Sequence, residues 1–374
     1  MSDGSFVPVN EPLLTGNEKE YLARCIDTGW ISSDGPYIRQ FEAAVATRLG
    51  RQHGIAVSNG TVALEVALAI LGIGTGDEVL LPSHTIISCA SAIVRAGATP
   101  VLVDSDRHTW NMRTEELAAK ITPRTKAIMV VHVYGLPVDM QPVLQLASKN
   151  NLLIIEDAAE MLGQTSGGRP CGSFGAVSTC SFYPNKLVTT GEGGMVLVDE
   201  EKLAEKARSF RNLCFQPARR FVHDELGWNF RLSNLQAAIG VAQCERWDEF
   251  VSIKRRIGAR YTDLLSDNPH FDLPLTQTHY AKNIYWIYGL VLKESAGFDA
   301  AEAIRRLTEA GIGARPFFWP MHEQPVFQRM GLFQGESYPG AEYLSRHGFY
   351  IPSGMALTEA QQERAAQAVR DLWA

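Results

Sequence analysis

Short apolar runs without polar alternation recur at residues 54–58, 78–82, 99–104, 126–131, 152–156, 176–182 and 194–198. Each has strand length, and unbroken Val/Ile/Leu composition marks strands that are covered on both faces. Stretches with helical periodicity lie between most of them, at 61–71, 142–149 and 201–211. The alternation predicts an α/β fold with a mainly parallel seven-stranded sheet. Two helices are expected ahead of it, at 18–27 and 37–49, separated by a polar loop that holds Trp30 and Ser33. After Gly227-Trp228-Asn229-Phe230-Arg231 the rhythm changes to one long helical stretch, 233–265. A smaller α/β unit follows: strand 285–292, helix 300–310, strand 313–318, and helices near 338–347 and 358–373. No Gly/Ser linker intervenes. The pattern therefore predicts two tightly packed parts: an N-terminal arm with a large domain over 1–245, and a connecting helix with a small C-terminal domain over 246–374.

Composition narrows the class of protein. With 45% hydrophobic and 20% charged residues, the chain has the make-up of a folded globular protein and not of a disordered one. A net charge of -6 argues against broad nucleic-acid binding. No apolar stretch reaches membrane-spanning length, and Met1-Ser2-Asp3-Gly4-Ser5 lacks the basic-then-apolar build of a signal peptide. A cytoplasmic protein without membrane or nucleic-acid partners is expected. Cys25, Cys89, Cys171, Cys180, Cys214 and Cys244 are scattered, with no CxxC pair and no His at ligand spacing. They read as free thiols, and neither disulfides nor a metal site is expected.

In a parallel sheet, ligands sit beyond the carboxyl ends of the strands, so the residues just after each run carry the candidate chemistry. Ser58-Asn59-Gly60-Thr61 is a glycine turn that opens a helix. A helix N-terminus binds phosphate and Thr61 adds a hydroxyl, although the motif alone equally suits an ordinary N-cap. Glu156-Asp157-Ala158-Ala159-Glu160 ends the run Leu152-Leu153-Ile154-Ile155. A carboxylate there can hold a ring nitrogen protonated, or cap the next helix. Lys186 ends Cys180-Ser181-Phe182-Tyr183-Pro184-Asn185 and enters the bend Thr189-Thr190-Gly191-Glu192-Gly193-Gly194. A lysine leaving a buried strand is poorly hydrated, which favours the neutral amine and makes it a nucleophile for an aldehyde. Ser181 is placed to reach a phosphate, and His84 to stack on a planar ring. His132, after the fourth run, reads as a hydrogen-bonded structural residue. A phosphate cradle, an acid for a ring nitrogen and a lysine for an aldehyde are together what pyridoxal phosphate requires. No GxGxxG turn follows the first run, which argues against a dinucleotide-binding dehydrogenase.

These stretches, with Asp77-Glu78-Val79, His132-Val133-Tyr134-Gly135 and Gly227-Trp228-Asn229-Phe230-Arg231, follow one order over nearly the whole chain. In that order they resemble the sugar-nucleotide aminotransferases of the aspartate-aminotransferase fold, fold type I. The resemblance implies pyridoxal 5'-phosphate as cofactor, with Lys186 carrying it covalently and moving protons. It also implies that Asp157 pairs with the ring nitrogen, that Gly60, Thr61 and Ser181 hold the phosphate, and that His84 covers the ring. Asn229 corresponds to a residue that reaches the phosphate of a neighbouring subunit, which implies a homodimer with shared sites. Glu160 stands where many members carry His or Gln.

The bend after Lys186 is similar to that of members that aminate C4 of a 4-keto-6-deoxy sugar nucleotide. Arg315-Pro316-Phe317-Phe318-Trp319-Pro320-Met321-His322 and Ile351-Pro352-Ser353-Gly354 are similar to those acting on GDP-4-keto-6-deoxy-D-mannose with L-glutamate as donor. A dTDP- or UDP-linked keto sugar is the alternative substrate. Substrate contacts are implied at Trp30, Ser33, Arg219, Arg220, Arg315 and His322. The pair Arg219-Arg220 suits a pyrophosphate or, equally, a surface salt bridge.

Overall fold

The computed structural model describes residues 6–216 and 218–373. Strands β1 (His53–Val57), β2 (Glu78–Pro82), β3 (Thr99–Val103), β4 (Thr125–Val131) and β5 (Leu153–Asp157) come first. A small hairpin, β6 (Thr165–Ser166) and β7 (Arg169–Pro170), precedes β8 (Val177–Ser181) and β9 (Gly194–Val198). Seven of these strands form one sheet in the order β1-β9-β8-β5-β4-β2-β3. It is parallel from β8 through β3, while β9 runs antiparallel to both of its neighbours. The expected mainly parallel α/β sheet is present.

The unbroken apolar runs have a direct cause. Val79 and Leu81 of β2 enter one core cluster while Leu80 between them enters another. Ile55 and Val57 likewise face one way and Ala56 the other. Both faces are covered, so apolar residues dominate both. Helix Gly60–Ile70, which starts at the carboxyl end of β1, packs against β8 and β9.

The C-terminal part holds a four-stranded sheet made of β10 (Phe271–Asp272), β11 (Tyr288–Leu292), β12 (Arg315–Pro316) and β13 (Gly348–Ile351). It is antiparallel, in the order β10-β11-β13-β12. Its own core gathers Tyr288, Leu290, Phe349 and Ile351 with Leu307, Ala365, Val369 and Tyr261 from the surrounding helices.

Three expectations are corrected. The helical stretch 233–265 is two helices, Asn234–Glu245 and Trp247–Leu265, separated at Arg246 (φ -107°, ψ 15°). The Arg246 guanidinium is tied to Glu249 at 2.7 and 2.8 Å and to Thr15 at 2.8 Å. The break lets the first helix pack on Phe41 through Gly240 while the second runs to the small sheet. The expected strand 313–318 is only Arg315–Pro316, because Phe317 turns inward against Trp110 and Tyr134. Strand β11 starts at Tyr288 and not at 285, since Tyr285 adopts φ 56°. No helix among the described residues is long and apolar enough to cross a membrane. All six cysteines are free.

Candidate active site

The carboxyl ends of β5 and β8, the helix after β1 and the edge of the small sheet enclose a cavity of about 1260 Å³. On one side, Asn59 caps helix Gly60–Ile70 by accepting the Val62 N–H at 3.0 Å. The first N–H groups of any helix have no partner within it, so Gly60 and Thr61 present donors together with the positive end of the dipole. Thr61 Oγ1 lies 2.9 Å from Ser88 Oγ. A Cβ on Gly60 would come within 2.9 Å of Ser181 Cβ, so glycine is what allows the end of β8 to approach the helix start. Asn59, Gly60, Thr61, Ser88 and Ser181 all line the cavity and make a cradle suited to a small anion.

Asp157 ends β5, buried, with Oδ1 accepting the Ala159 N–H at 3.0 Å and Oδ2 accepting the Cys89 thiol at 3.3 Å. Burial raises its carboxyl above the ordinary range, and these two hydrogen bonds oppose that rise. Lys186 lies in the β8–β9 connection, whose neighbouring carbonyls are held by Trp286 Nε1 at Asn185 (2.7 Å) and Asn10 Nδ2 at Pro184 (3.1 Å). Its Nζ sits 3.9 Å from the Trp286 ring centroid and 3.5 Å from Glu160 Oε1. Glu160 Oε2 accepts the Tyr134 N–H at 2.8 Å. Burial pushes the Glu160 carboxyl up to about 7, with Lys186 and the Tyr134 N–H pulling it down and Asp157 adding to the rise. An anion cradle, a buried carboxyl and a lysine amine around one cavity fit a phosphorylated pyridine aldehyde.

The structure thus brings Gly60, Thr61, Asp157, Ser181 and Lys186 to one cavity. His84 does not join them. It is fully buried and packs edge-on to Tyr134 at 5.6 Å, while Ile86, two residues on, lines the cavity in its place. The reason is the strand ending: His84 faces the aromatic layer of Tyr134, Phe317 and Phe318. His322 is also buried away from the cavity, with Nδ1 2.9 Å from Ser83 Oγ and Nε2 3.0 Å from Glu342 Oε1. It fastens the start of a short helical turn to the end of β2, so it is not placed to contact substrate. His132 has the structural role expected of it, with Nδ1 accepting the Val138 N–H at 3.0 Å and Nε2 3.1 Å from Glu156.

Trp30, Ser33, Arg219, Arg220, Asn229 and Arg315 are exposed and line no part of this chain's cavity. Arg219 pairs with Asp224 at 3.5 Å, and Arg220 lies over Phe215. Sequence reasoning missed Trp286, Phe318 and Tyr350, which reach the cavity from the small sheet and its approaches. Their signal was weak, because an aromatic beside a short strand ordinarily reads as core.

The family model "DegT/DnrJ/EryC1/StrS aminotransferase family" matches residues 12–370. The chain is 42% identical to GDP-perosamine synthase of Caulobacter vibrioides, over 99% of each chain. It is 40% identical to GDP-perosamine synthase of Escherichia coli O157:H7, over 98% of this chain and 99% of that one. Among solved structures, the aminotransferase TlmJ from Streptoalloteichus hindustanus superposes with a TM-score of 0.91 at 31% identity, over 98% of each chain. The fold, the cavity and these likenesses converge, and the chain belongs to the DegT/DnrJ/EryC1/StrS family as a sugar aminotransferase dependent on pyridoxal phosphate.

Proposed function

We propose that the protein transfers the amino group of L-glutamate to C4 of GDP-4-keto-6-deoxy-D-mannose and so forms GDP-perosamine. The observation that carries this reading is 37–42% identity to three GDP-perosamine synthases over 98% or more of the chain. Glutamate delivers its nitrogen first and leaves as 2-oxoglutarate, and the keto sugar then takes the nitrogen up.

When bound, pyridoxal phosphate supplies an electron sink for the carbanion that forms when the carbon bearing nitrogen loses its proton. In this reading Lys186 would hold the cofactor through Nζ, and its free amine would serve as the base that moves the substrate proton. Asp157 keeps a proton on the ring nitrogen, an electrostatic contribution that grows as negative charge develops. Gly60, Thr61 and Ser181 bind the phosphate with the helix N-terminus. Ile86, which lines the cavity where His84 was expected, would supply an apolar surface for the cofactor, and Trp286, Phe318 and Tyr350 would exclude water. Asn229 reaches the phosphate of a second copy, in a homodimer with shared sites. Trp30, Ser33 and Arg315 would meet the nucleotide sugar from the surface, with the Arg219 and Arg220 guanidinium groups on its pyrophosphate.

Purified protein offered GDP-, dTDP- and UDP-linked 4-keto-6-deoxy sugars with L-glutamate tests the reading. Amination of the GDP-linked sugar is the expected result, and turnover of another sugar in its absence overturns it. Borohydride treatment of the holoprotein followed by peptide mapping should tag Lys186.

A further inference from the structure

We propose that Glu160 is the proton-sharing partner of Lys186: it accepts the proton that the freed lysine must lose to act as a base, and returns it later in the cycle. The inference rests on the reading of Lys186 as the cofactor lysine and assigns a positioning role to a residue that reading leaves idle.

Glu160 follows Asp157 in the turn after β5, and its two oxygens are used differently. Oε2 is fixed by the Tyr134 N–H at 2.8 Å. Tyr134 is itself pinned, with φ 61° and its hydroxyl accepting the Phe318 N–H at 2.8 Å. A Cβ at the next residue, Gly135, would come within 2.5 Å of the Trp286 backbone N, so this turn has little room to move. Oε1 is left facing Lys186 Nζ at 3.5 Å. Both side chains are nearly closed to water, 11% exposed for the lysine and 8% for the glutamate. At such a site, separated charges lose the hydration that would favour them.

The proton step balances within the pair. The N–H bond at Nζ breaks, an O–H bond forms at Oε1, and ammonium–carboxylate becomes amine–carboxylic acid with no change in net charge. The groups facing Glu160 leave it free to titrate. Tyr134 beside β4, Tyr350 of β13 and the Cys89 thiol are all raised by burial and stay protonated, Tyr350 up to about 12. His132, near Asp157, is engaged at both ring nitrogens. Glu160 is therefore the carboxyl facing Lys186 that burial brings toward neutrality. A carboxyl poised at about 7 is matched to proton transfer near neutrality.

Glu160→Gln separates this role from a structural one, because the amide oxygen still accepts the Tyr134 N–H but takes no proton. The holoenzyme is tested over a pH series in the half-reaction with L-glutamate. The wild type should show an acid limb near pH 7. Glu160→Gln should lose that limb and fall in kcat on the order of 100-fold, with KM little changed. Glu160→Asp should keep the limb. Infrared difference spectra of the full chain across neutrality give a readout apart from activity: a carboxylic C=O stretch that disappears with rising pH in the wild type and is missing from Glu160→Gln. An acid limb that persists in Glu160→Gln, or a wild-type spectrum with no titrating carboxylic band, overturns the proposal. Borohydride tagging keeps the two claims apart. A tagged Lys186 with an unchanged Glu160→Gln profile sinks the proton-sharing role alone, whereas an untagged Lys186 sinks the reading beneath it.

Discussion

Neither ring nitrogen of His84 meets a hydrogen-bond partner among the described residues, and burial lowers its pKa from 6.5 to about 3, with the nearby Phe318 backbone opposing only part of that. The folded chain therefore binds fewer protons than the unfolded chain between these two values. Stability falls as pH drops through that window. His84→Phe keeps the aromatic packing and removes the titration. It should stabilise the protein by roughly 2 kcal/mol at pH 5 and far less at pH 8, from the 1.4 kcal/mol that each pKa unit represents. Urea unfolding at the two pH values checks this, and equal gains at both would place the cost in packing. A histidine at a strand end is ambiguous in sequence, since the same spacing serves a ring over a cofactor or a ring in an aromatic layer. The neighbours that decide, Phe317 and Phe318, are distant in the chain.

At the scale of elements, helix Trp247–Leu265 joins the two sheets and is fitted to its surroundings at Gly258. A Cβ there would come within 2.3 Å of the Tyr285 ring, and Tyr285, at φ 56°, has little freedom to retreat. Gly258→Ala should destabilise the fold by about 1–3 kcal/mol, as overpacking does. Thermal unfolding measures it, and an unchanged midpoint would mean the ring shifts freely. The strands of the large sheet were legible because burial on both faces writes itself into consecutive residues, as in Val79, Leu80 and Leu81. The break at Arg246 was not, since the residues on either side keep helical spacing. Its cause is a set of contacts to Thr15 and Glu249.

For the whole molecule, Trp30, Ile31, Phe221, Leu226 and Trp228 are large apolar side chains left exposed, Leu226 by 90% and Phe221 by 81%. In the proposed reading these side chains face a second copy. If Asn229 completes the neighbour's site, Lys186→Ala and Asn229→Ala chains are each impaired alone. Refolded together, they should regain part of the activity, because a mixed dimer holds one intact site. No regain despite mixed dimers in native mass spectra would confine each site to one chain.

The sequence by itself determined the mainly parallel sheet and the residues at its carboxyl ends, Gly60, Asp157, Ser181 and Lys186. Strand burial and the turn chemistry after a strand are local properties that neighbouring residues record. Only the tertiary structure decided that Ile86 and not His84 lines the cavity, that His322 is spent on Ser83 and Glu342, and that Trp286 and Glu160 flank the lysine. Those choices depend on which distant segments meet, and periodicity along a chain carries no record of what lies across a cavity.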